Sequence, residues 1–342
     1  MSSTSAHLAG GQFYGQVAER QRAAGAVLSE VVHRVPRALP RHMHQRTYIS
    51  LLLGGTYGEE IGRRPVHHGR LSVSVRPAGV EHRDWIGSNG GRFFMVELVP
   101  EWLAVAQGGE DRLAVPTSLH EPDALWAMVR LYREFRRWEP CSPSVVEGLT
   151  ATLMACAEGA SRVDPRHRPP WLLRVADMVR DRSRDNLRLS ELAREAGVHP
   201  AHVARTFRRF YGRSPAELAR ELRLRRACEG LAAGERPLAE LAFEAGFADQ
   251  AHMTRLMVRY LTMTPGQVRR LVQGGRPPRL SGPAGAAPIA VPAPSFSRPR
   301  ATVSPPPSAP TPDTVPRAPA HSRPSETPPA QSPGSAAPDS AG

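Results

Sequence analysis

Two sets of residues in this chain have the types and spacing to do chemistry, and the chemistry differs between them. The first lies in a stretch that occurs twice, LAREAGVHPAHVARTFRRFYGRSP at 192–215 and LAFEAGFADQAHMTRLMVRYLTMTP at 241–265. Read as a helix, the second half of each copy gathers basic side chains on one face: His202, Arg205, Arg208 and Arg209, then His252, Arg255 and Arg259. Such a row suits phosphates and guanine edges of a DNA duplex. The second set is His42 and His44, whose spacing of two puts both imidazoles on one face of an extended strand. There they suit a metal ion or a pocket ligand.

The repeat supplies the elements that position the first set. Leu192, Ala193, Glu195, Ala196 and Gly197 recur 49 positions later, and Val203, Arg205, Arg209 and Pro215 find their counterparts 50 positions later. The single inserted residue falls in the turn, where a loop tolerates it. Each copy reads as a short helix stopped by glycine, a turn, and a second helix. Glycine takes the left-handed conformation that ends a helix without a Cβ penalty. His199-Pro200 opens the second helix of copy one, and Asp249 caps that of copy two. Val203, Phe207 and Phe210, and likewise Met253, Met257 and Tyr260, form the expected inward stripe. Two helices about a glycine turn, the second with a basic outer face, make a helix-turn-helix. Ser214 to Ala233 has no internal proline after Pro215 and reads as a helix of roughly 30 Å. That length is close to the ~34 Å between successive major-groove faces.

The doubled unit, the Arg223-Leu224-x-x-Ala227 run in the connecting helix, Gly246-Phe247-x-Asp249-Gln250 and Thr264-Pro265 together resemble the DNA-binding domain of the AraC/XylS family of bacterial transcription regulators. The resemblance covers roughly residues 170–272. Copy two departs from it with Met253 and Met257 where phenylalanine is usual, Leu261 for glycine and Val268 for an aromatic; methionine fills similar volume flexibly, so altered packing with a retained fold is expected. The resemblance implies base readout by His199, Ala201, His202 and Arg205 in the first recognition helix and by Gln250, Ala251, Thr254 and Arg255 in the second. Arg208, Arg209 and Arg259 are assigned to phosphates.

Residues 25–100 hold short apolar runs broken by Gly, Pro and charge: AVLSEVV, YISLLLGGTY, RLSVSV and RFFMVEL. This predicts an all-β barrel or sandwich. His42-Met-His44 and Pro77-Ala-Gly79-Val-Glu-His82 together resemble the two cupin motifs, and AraC-type regulators often carry a cupin-like sensing domain here. The resemblance implies a cluster of His42, His44 and His82, with Glu59 and Glu60 too far along to match the usual glutamate. No cofactor is expected in such a domain; three imidazoles holding Zn, Fe or Ni and a pocket for an organic effector stand as alternatives. His67-His68 is read as a surface loop.

Residues 101–160 are expected to be helical, with Leu125, Met128, Leu131 and Phe135 at helical spacing and Ser142-Pro143 starting a second helix. These helices either pair two copies of the chain or pack on their own barrel. Residues 1–24 are expected to be irregular, 161–169 a linker, and 273–342 a Pro/Ala-rich disordered tail. The fold class is multi-domain α+β: a cupin-like barrel with following helices, then an all-α domain of two helix-turn-helix units.

Composition bounds the rest. The 342 residues suffice for about two domains and a tail. The net charge of +13 suits a nucleic-acid partner, and residues 170–276 carry 20 Arg against 12 Asp and Glu. There is no lysine in a chain rich in Ala, Gly and Pro, a bias that GC-rich coding would also produce. Three scattered cysteines without CxxC spacing indicate neither a disulfide framework nor a zinc site, which fits a reducing cytoplasm; no membrane span or signal peptide is recognised. No Ser/His/Asp set, P-loop or nucleotide motif appears, so a non-enzyme is expected. Its partners would be double-stranded promoter DNA, a small-molecule effector and RNA polymerase. The competing reading is a metal-dependent cupin enzyme with an accessory DNA-binding domain.

Overall fold

The computed structural model describes residues 6–23, 25–107, 113–162 and 169–274. Most of the expected linker at 161–169, and the expected tail from residue 275 on, lie outside them.

Alternating apolar residues build a ten-stranded sheet. Its strands are β1 (Ala6–Leu8), β2 (Gln16–Arg22), β3 (Ala26–His33), β4 (Arg37–Ala38), β5 (His42–His44), β6 (Tyr48–Ile61), β7 (Arg64–His68), β8 (Val73–Arg76), β9 (His82–Leu98) and β10 (Thr117–Leu119). β9 is the hub and pairs with β3, β4, β5 and β6 along its length. β6 and β9 are too long for one straight ladder, and both turn at glycines. Gly55 has φ 90° and Gly90 φ 67°, and a Cβ on Gly55 would meet the Gly90 carbonyl, so only glycine permits that approach. Beyond this bend the register shifts and the two strands continue together from Tyr57↔Ile86 to Ile61↔His82.

The period of two sorts side chains between the faces of the sheet. Leu28, Phe94, Val96 and Leu98 face the helices, whereas Val31, Phe93 and Met95 face an inner cluster with Tyr48, Tyr57 and Ile86. Two expectations are corrected here. Residues 6–8 and 16–22 are strands: β2 is a polar edge strand registered on β3, from Gln16↔Val32 to Arg22↔Val27, and a half-exposed edge carries no apolar run to announce it. His67 and His68 lie on β7, not in a loop, and His68 is buried while His67 is exposed.

Helices α1 (Pro100–Gln107), α2 (Pro122–Arg137) and α3 (Ser142–Arg162) follow. Leu125, Met128, Leu131 and Phe135 of α2 are at most 1% exposed. The apolar face of α2 is consumed within its own chain, with the sheet on one side and carboxy-terminal helices on the other.

Those helices are α4 (Pro170–Asp181), α5 (Leu189–Ala196), α6 (Pro200–Tyr211), α7 (Pro215–Ala233), α8 (Leu238–Glu244), α9 (Gln250–Leu261) and α10 (Pro265–Val272). They fall into two cores. Leu172, Val175, Val179, Leu192, Val203, Phe207 and Tyr211 form a cluster of their own from α4, α5 and α6. Leu231, Leu241, Phe247, Met253, Met257, Leu261 and Val268 belong instead to the large core that holds the sheet and α2. Arginines reinforce that join at the carboxyl ends of two helices, where exposed carbonyls favour cations. Arg133 donates to the Leu261 carbonyl at the end of α9; Arg92 donates to the Val272 carbonyl at the end of α10, and Arg136 to the Gly274 carbonyl just beyond. Buried Glu30 holds two of these arginines, Arg136 at 2.8 Å and Arg92 at 3.4 Å.

Candidate nucleic-acid interface and histidine cluster

The turn of the first repeat is fixed by three residues. Gly197 ends α5 in the left-handed conformation at φ 66°. The His199 imidazole then accepts the Ala201 backbone N–H, and Pro200 supplies the first turn of α6. In the second repeat Gly246 takes φ 89°, and the Asp249 carboxylate accepts the His252 N–H at 2.6 Å to start α9. Ser214-Pro215 and Thr264-Pro265, which close each repeat, also start the next helix. Each forms a reciprocal capping box, Ser214 with Glu217 and Thr264 with Gln267.

Val203, Phe207 and Tyr211 are the inward residues of α6, as are Met253, Met257 and Leu261 of α9. The expected third members, Phe210 and Tyr260, are half-exposed and adjacent to them. Positions i+7 and i+8 straddle one face of a 3.6-residue helix, and here i+8 points inward. Phe210 and Tyr260 lie beneath the guanidiniums of Arg209 and Arg259, at 5.6 Å and 5.9 Å. The methionines fill the second unit without loss of burial, since Met253 and Met257 are both 0% exposed.

The outer faces are free. His199, Ala201, His202, Arg205, Arg208 and Arg209 are exposed on the first unit, as are Gln250, Ala251, Arg255 and Arg259 on the second. Thr254 is half-exposed and its hydroxyl donates to the Gln250 carbonyl. Arg208 pairs with Glu217 at 3.2 Å. Arg205 and Arg255 make no ion pair among the described residues, so their guanidinium forks are available. Arg223 of the connecting helix, by contrast, is structural: it donates to the Ser183 and Asp185 carbonyls after α4.

These helices also decide the kinship. Residues 192–271 match the family model described as a helix-turn-helix domain. The chain carries an AraC/XylS-type helix-turn-helix domain. The chain is 34% identical over 111 residues to the HTH-type transcriptional regulator GlxA of Rhizobium meliloti (strain 1021), covering 32% of this chain and 34% of that relative. The chain thus spans about a third of GlxA's length. It is also 27% identical over 85 residues to the probable transcription factor PqrA of Proteus vulgaris, covering 25% of this chain and 70% of the relative. Among solved structures, fatty-acid-bound ToxT of Vibrio cholerae strain SCE256 aligns with 75% of this chain and 99% of its own, at 9% identity and a TM-score of 0.33, too slight a likeness to bear on the fold.

The second set of residues meets inside the sheet. His42 and His44 project from the same face of β5, and the ladder sets His42 opposite His82 of β9. One ligand atom from each of the three lies within 4.8 Å of the others. The His42 Nδ1–H donates to the Pro40 carbonyl at 2.9 Å, and the His82 Nδ1–H to the Val80 carbonyl at 3.0 Å. Because a carbonyl only accepts, the protons sit on Nδ1 and each Nε2 keeps its lone pair. The Tyr48 hydroxyl reaches His82 Nε2 at 3.3 Å. The buried His44 Nδ1 has no hydrogen-bond partner. Burial, with neighbouring imidazoles, lowers the His44 pKa to about 3, and burial lowers that of His82 to about 4.

Sequence reasoning missed the carboxylate of this cluster. Asp84 lies 3.7 Å from His42 Nε2 and 3.9 Å from His82 Nε2, and burial raises its pKa to about 6. Its signal is there to be read, since His82-Arg-Asp84 has the same spacing of two as His42-Met-His44. Tyr57 donates to Asp84 at 3.1 Å. Glu59 is fully buried and is held by Arg76 and by His68 Nε2 at 2.5 Å; it belongs to this second layer, while Glu60 pairs with Arg41 at the rim. The cavity beside the histidines is about 50 Å³ and is lined by Tyr14, Tyr48, Arg76 and Asp84 among others. That volume is well below the ~300 Å³ or more usual for small-molecule sites. The donor set also suits a metal: three imidazoles, two of them with an unprotonated Nε2, the unpartnered His44 Nδ1 and a nearby carboxylate.

Among the described residues no helix is long and apolar enough to cross a membrane. Cys156 and Cys228 are buried and Cys141 is exposed, all as free thiols.

Proposed function

We propose that this protein is a sequence-specific transcription regulator that binds promoter DNA through its two helix-turn-helix units, under control of a cupin-like amino-terminal sensing domain. The observation that carries the proposal is the pair of recognition helices, α6 and α9, each built on a buried apolar stripe with an outward row of exposed donors. Arg205 and Arg255 read guanine through their free forks, and Gln250 reads adenine. His199, Ala201, His202, Ala251 and Thr254 line the same groove-facing rows, where alanine offers a methyl contact to thymine. Arg208, Arg209 and Arg259 grip phosphates and set the register. A DNA partner assigns the protein to the cytoplasm. α7, at 19 residues, spans roughly 28 Å and joins the units at about the spacing of one helical turn of DNA.

The sensing site is the cluster of His42, His44 and His82 with Asp84. A divalent transition metal held there would draw β5 and β9 together, coupling binding free energy to the folding of the sheet. The small cavity favours this over an organic effector.

Fluorescence anisotropy on the DNA upstream of the protein's own gene tests the proposal, with a scrambled duplex as control near 0.15 M salt. A preference of about 10³-fold is expected. Equal affinities with a steep salt slope would leave only phosphate binding and overturn it. Stoichiometric iron with turnover of a small substrate would favour the cupin enzyme instead.

A further inference from the structure

The connecting helix α7 has a second relation to the sheet, away from both DNA and the histidine cluster. Between the β7–β8 turn, β10 and α7 lies a cleft of about 490 Å³, within the size range of small-molecule sites. Two guanidiniums line it, Arg70 from the sheet side and Arg225 from α7, with the imidazoles of His67 and His120 beside them. Among the described residues the one carboxylate lining it, Glu229, is engaged by Arg225 Nε at 2.9 Å, one turn along the same helix.

Each arginine is steadied from the opposite side. Arg70 donates from the sheet to the Ala232 carbonyl near the end of α7 at 3.1 Å. Arg225 donates from α7 to the His120 carbonyl at 3.3 Å. A guanidinium has five donors in a planar fork: Arg70 gives one to Ala232, while Arg225 gives Nε to Glu229 and one Nη1 hydrogen to His120, leaving its Nη2 and second Nη1 hydrogens. Two positioned forks thus border one small cavity, and among the described residues only Arg225 has a carboxylate lining the cleft beside it.

We propose that this cleft binds a small organic oxyanion, a carboxylate or a phosphate, bridging Arg70 of the sheet and Arg225 of α7. Planar forks take such groups bidentately. The bridged element is the helix joining the two helix-turn-helix units, so an occupant ties the sheet to the part of the DNA-binding domain that sets their spacing. The cleft also shares a wall with the inner cavity: buried His68 lines the cleft, its ring stacks on Tyr57 at 5.1 Å, and Tyr57 lines the histidine cavity.

Isothermal titration of the full chain with succinate and with inorganic phosphate, each against sodium chloride of matched ionic strength, tests this. One-site binding of at least one probe is expected, weakened about tenfold or more, some 1.4 kcal/mol, by Arg70→Gln and by Arg225→Gln. Arg63→Gln, in the exposed β6–β7 turn, and His44→Ala, in the inner cluster, should leave it unchanged, so failure of the metal reading is distinguishable from failure of this one. Succinate binding alone would identify a carboxylate ligand, and phosphate binding alone a phosphate. Neither probe binding, or binding at wild-type strength in both arginine variants, would overturn the proposal. Melting curves accompany each variant; should Arg225→Gln unfold, Arg70→Gln carries the test.

Discussion

The two helix-turn-helix units are near copies in sequence and opposites in context. The first, with α4, α5 and α6, closes its own small core of Leu172, Val175, Val203 and Phe207. The second has no core to itself: Met253, Met257 and Leu261 are continuous with the sheet and α2. Trp126 of α2 lies 6.1 Å from Tyr260 across that join. The same supersecondary unit can therefore be a module or a part, depending on what its outer helices meet. The core of the second unit is continuous with that of the sheet and the core of the first is not, so the first is expected to open more independently of the sheet.

The strongest way to break this comparison is to empty each core in turn. Phe207→Ala is expected to cost about 3–5 kcal/mol and Met257→Ala about 2–5 kcal/mol. Followed by hydrogen exchange, the first should release protection in α4, α5 and α6 and spare the sheet, whereas the second should weaken β6 and β9 as well. Loss of sheet protection in both variants would erase the distinction.

The boundary between the units offers a second test. Arg213 ends the first unit and contacts both Glu221 of α7 and Asp123 of α2. Burial opposes its charge, but the two carboxylates outweigh burial and raise its pKa. Arg213→Ala strands Glu221, which is 5% exposed, and should cost about 3 kcal/mol, read as a lower denaturation midpoint. Arg213→Ala combined with Glu221→Leu should recover much of that loss.

On DNA the units should look alike. Arg205→Ala and Arg255→Ala are each expected to cost about 1–3 kcal/mol and to relax preference at one base pair, measured by competition among singly substituted duplexes. Uniform weakening on every sequence would make them phosphate contacts.

The smallest effect concerns the sheet alone. Burial, with nearby Arg37, lowers the His33 pKa from 6.5 to about 4. Below pH 6.5 the unfolded chain takes up a proton that folded His33 refuses. Its stabilising contribution is therefore present above pH 6.5 and is lost as pH falls toward 4, on the order of 1 kcal/mol after allowance for solvent screening. His33→Gln should flatten that part of the stability profile; an unchanged slope would assign it to other groups.

Much of this architecture is legible in the amino-acid sequence. Gly197, Asp249 and the span of α7 are readable because helix ends need particular residue types, and β3, β6, β8 and β9 because buried strands are apolar runs. Polar edges are not: β2 reads as loop because half its residues face water. The layer of Asp84, Glu59, His68 and Arg76 escapes such reading because charged residues are taken as exposed until their partners, distant in sequence, are known. Nor does any local period reveal that the second unit shares its core with the sheet, since such contacts join residues more than a hundred positions apart.

The central claim is that two units read one face of a duplex. A hydroxyl-radical footprint on the upstream DNA tests it most directly. Two protected patches about one helical turn apart, one lost with Arg205→Ala and the other with Arg255→Ala, are the predicted result. A single patch, or protection spread evenly along the DNA, would contradict it.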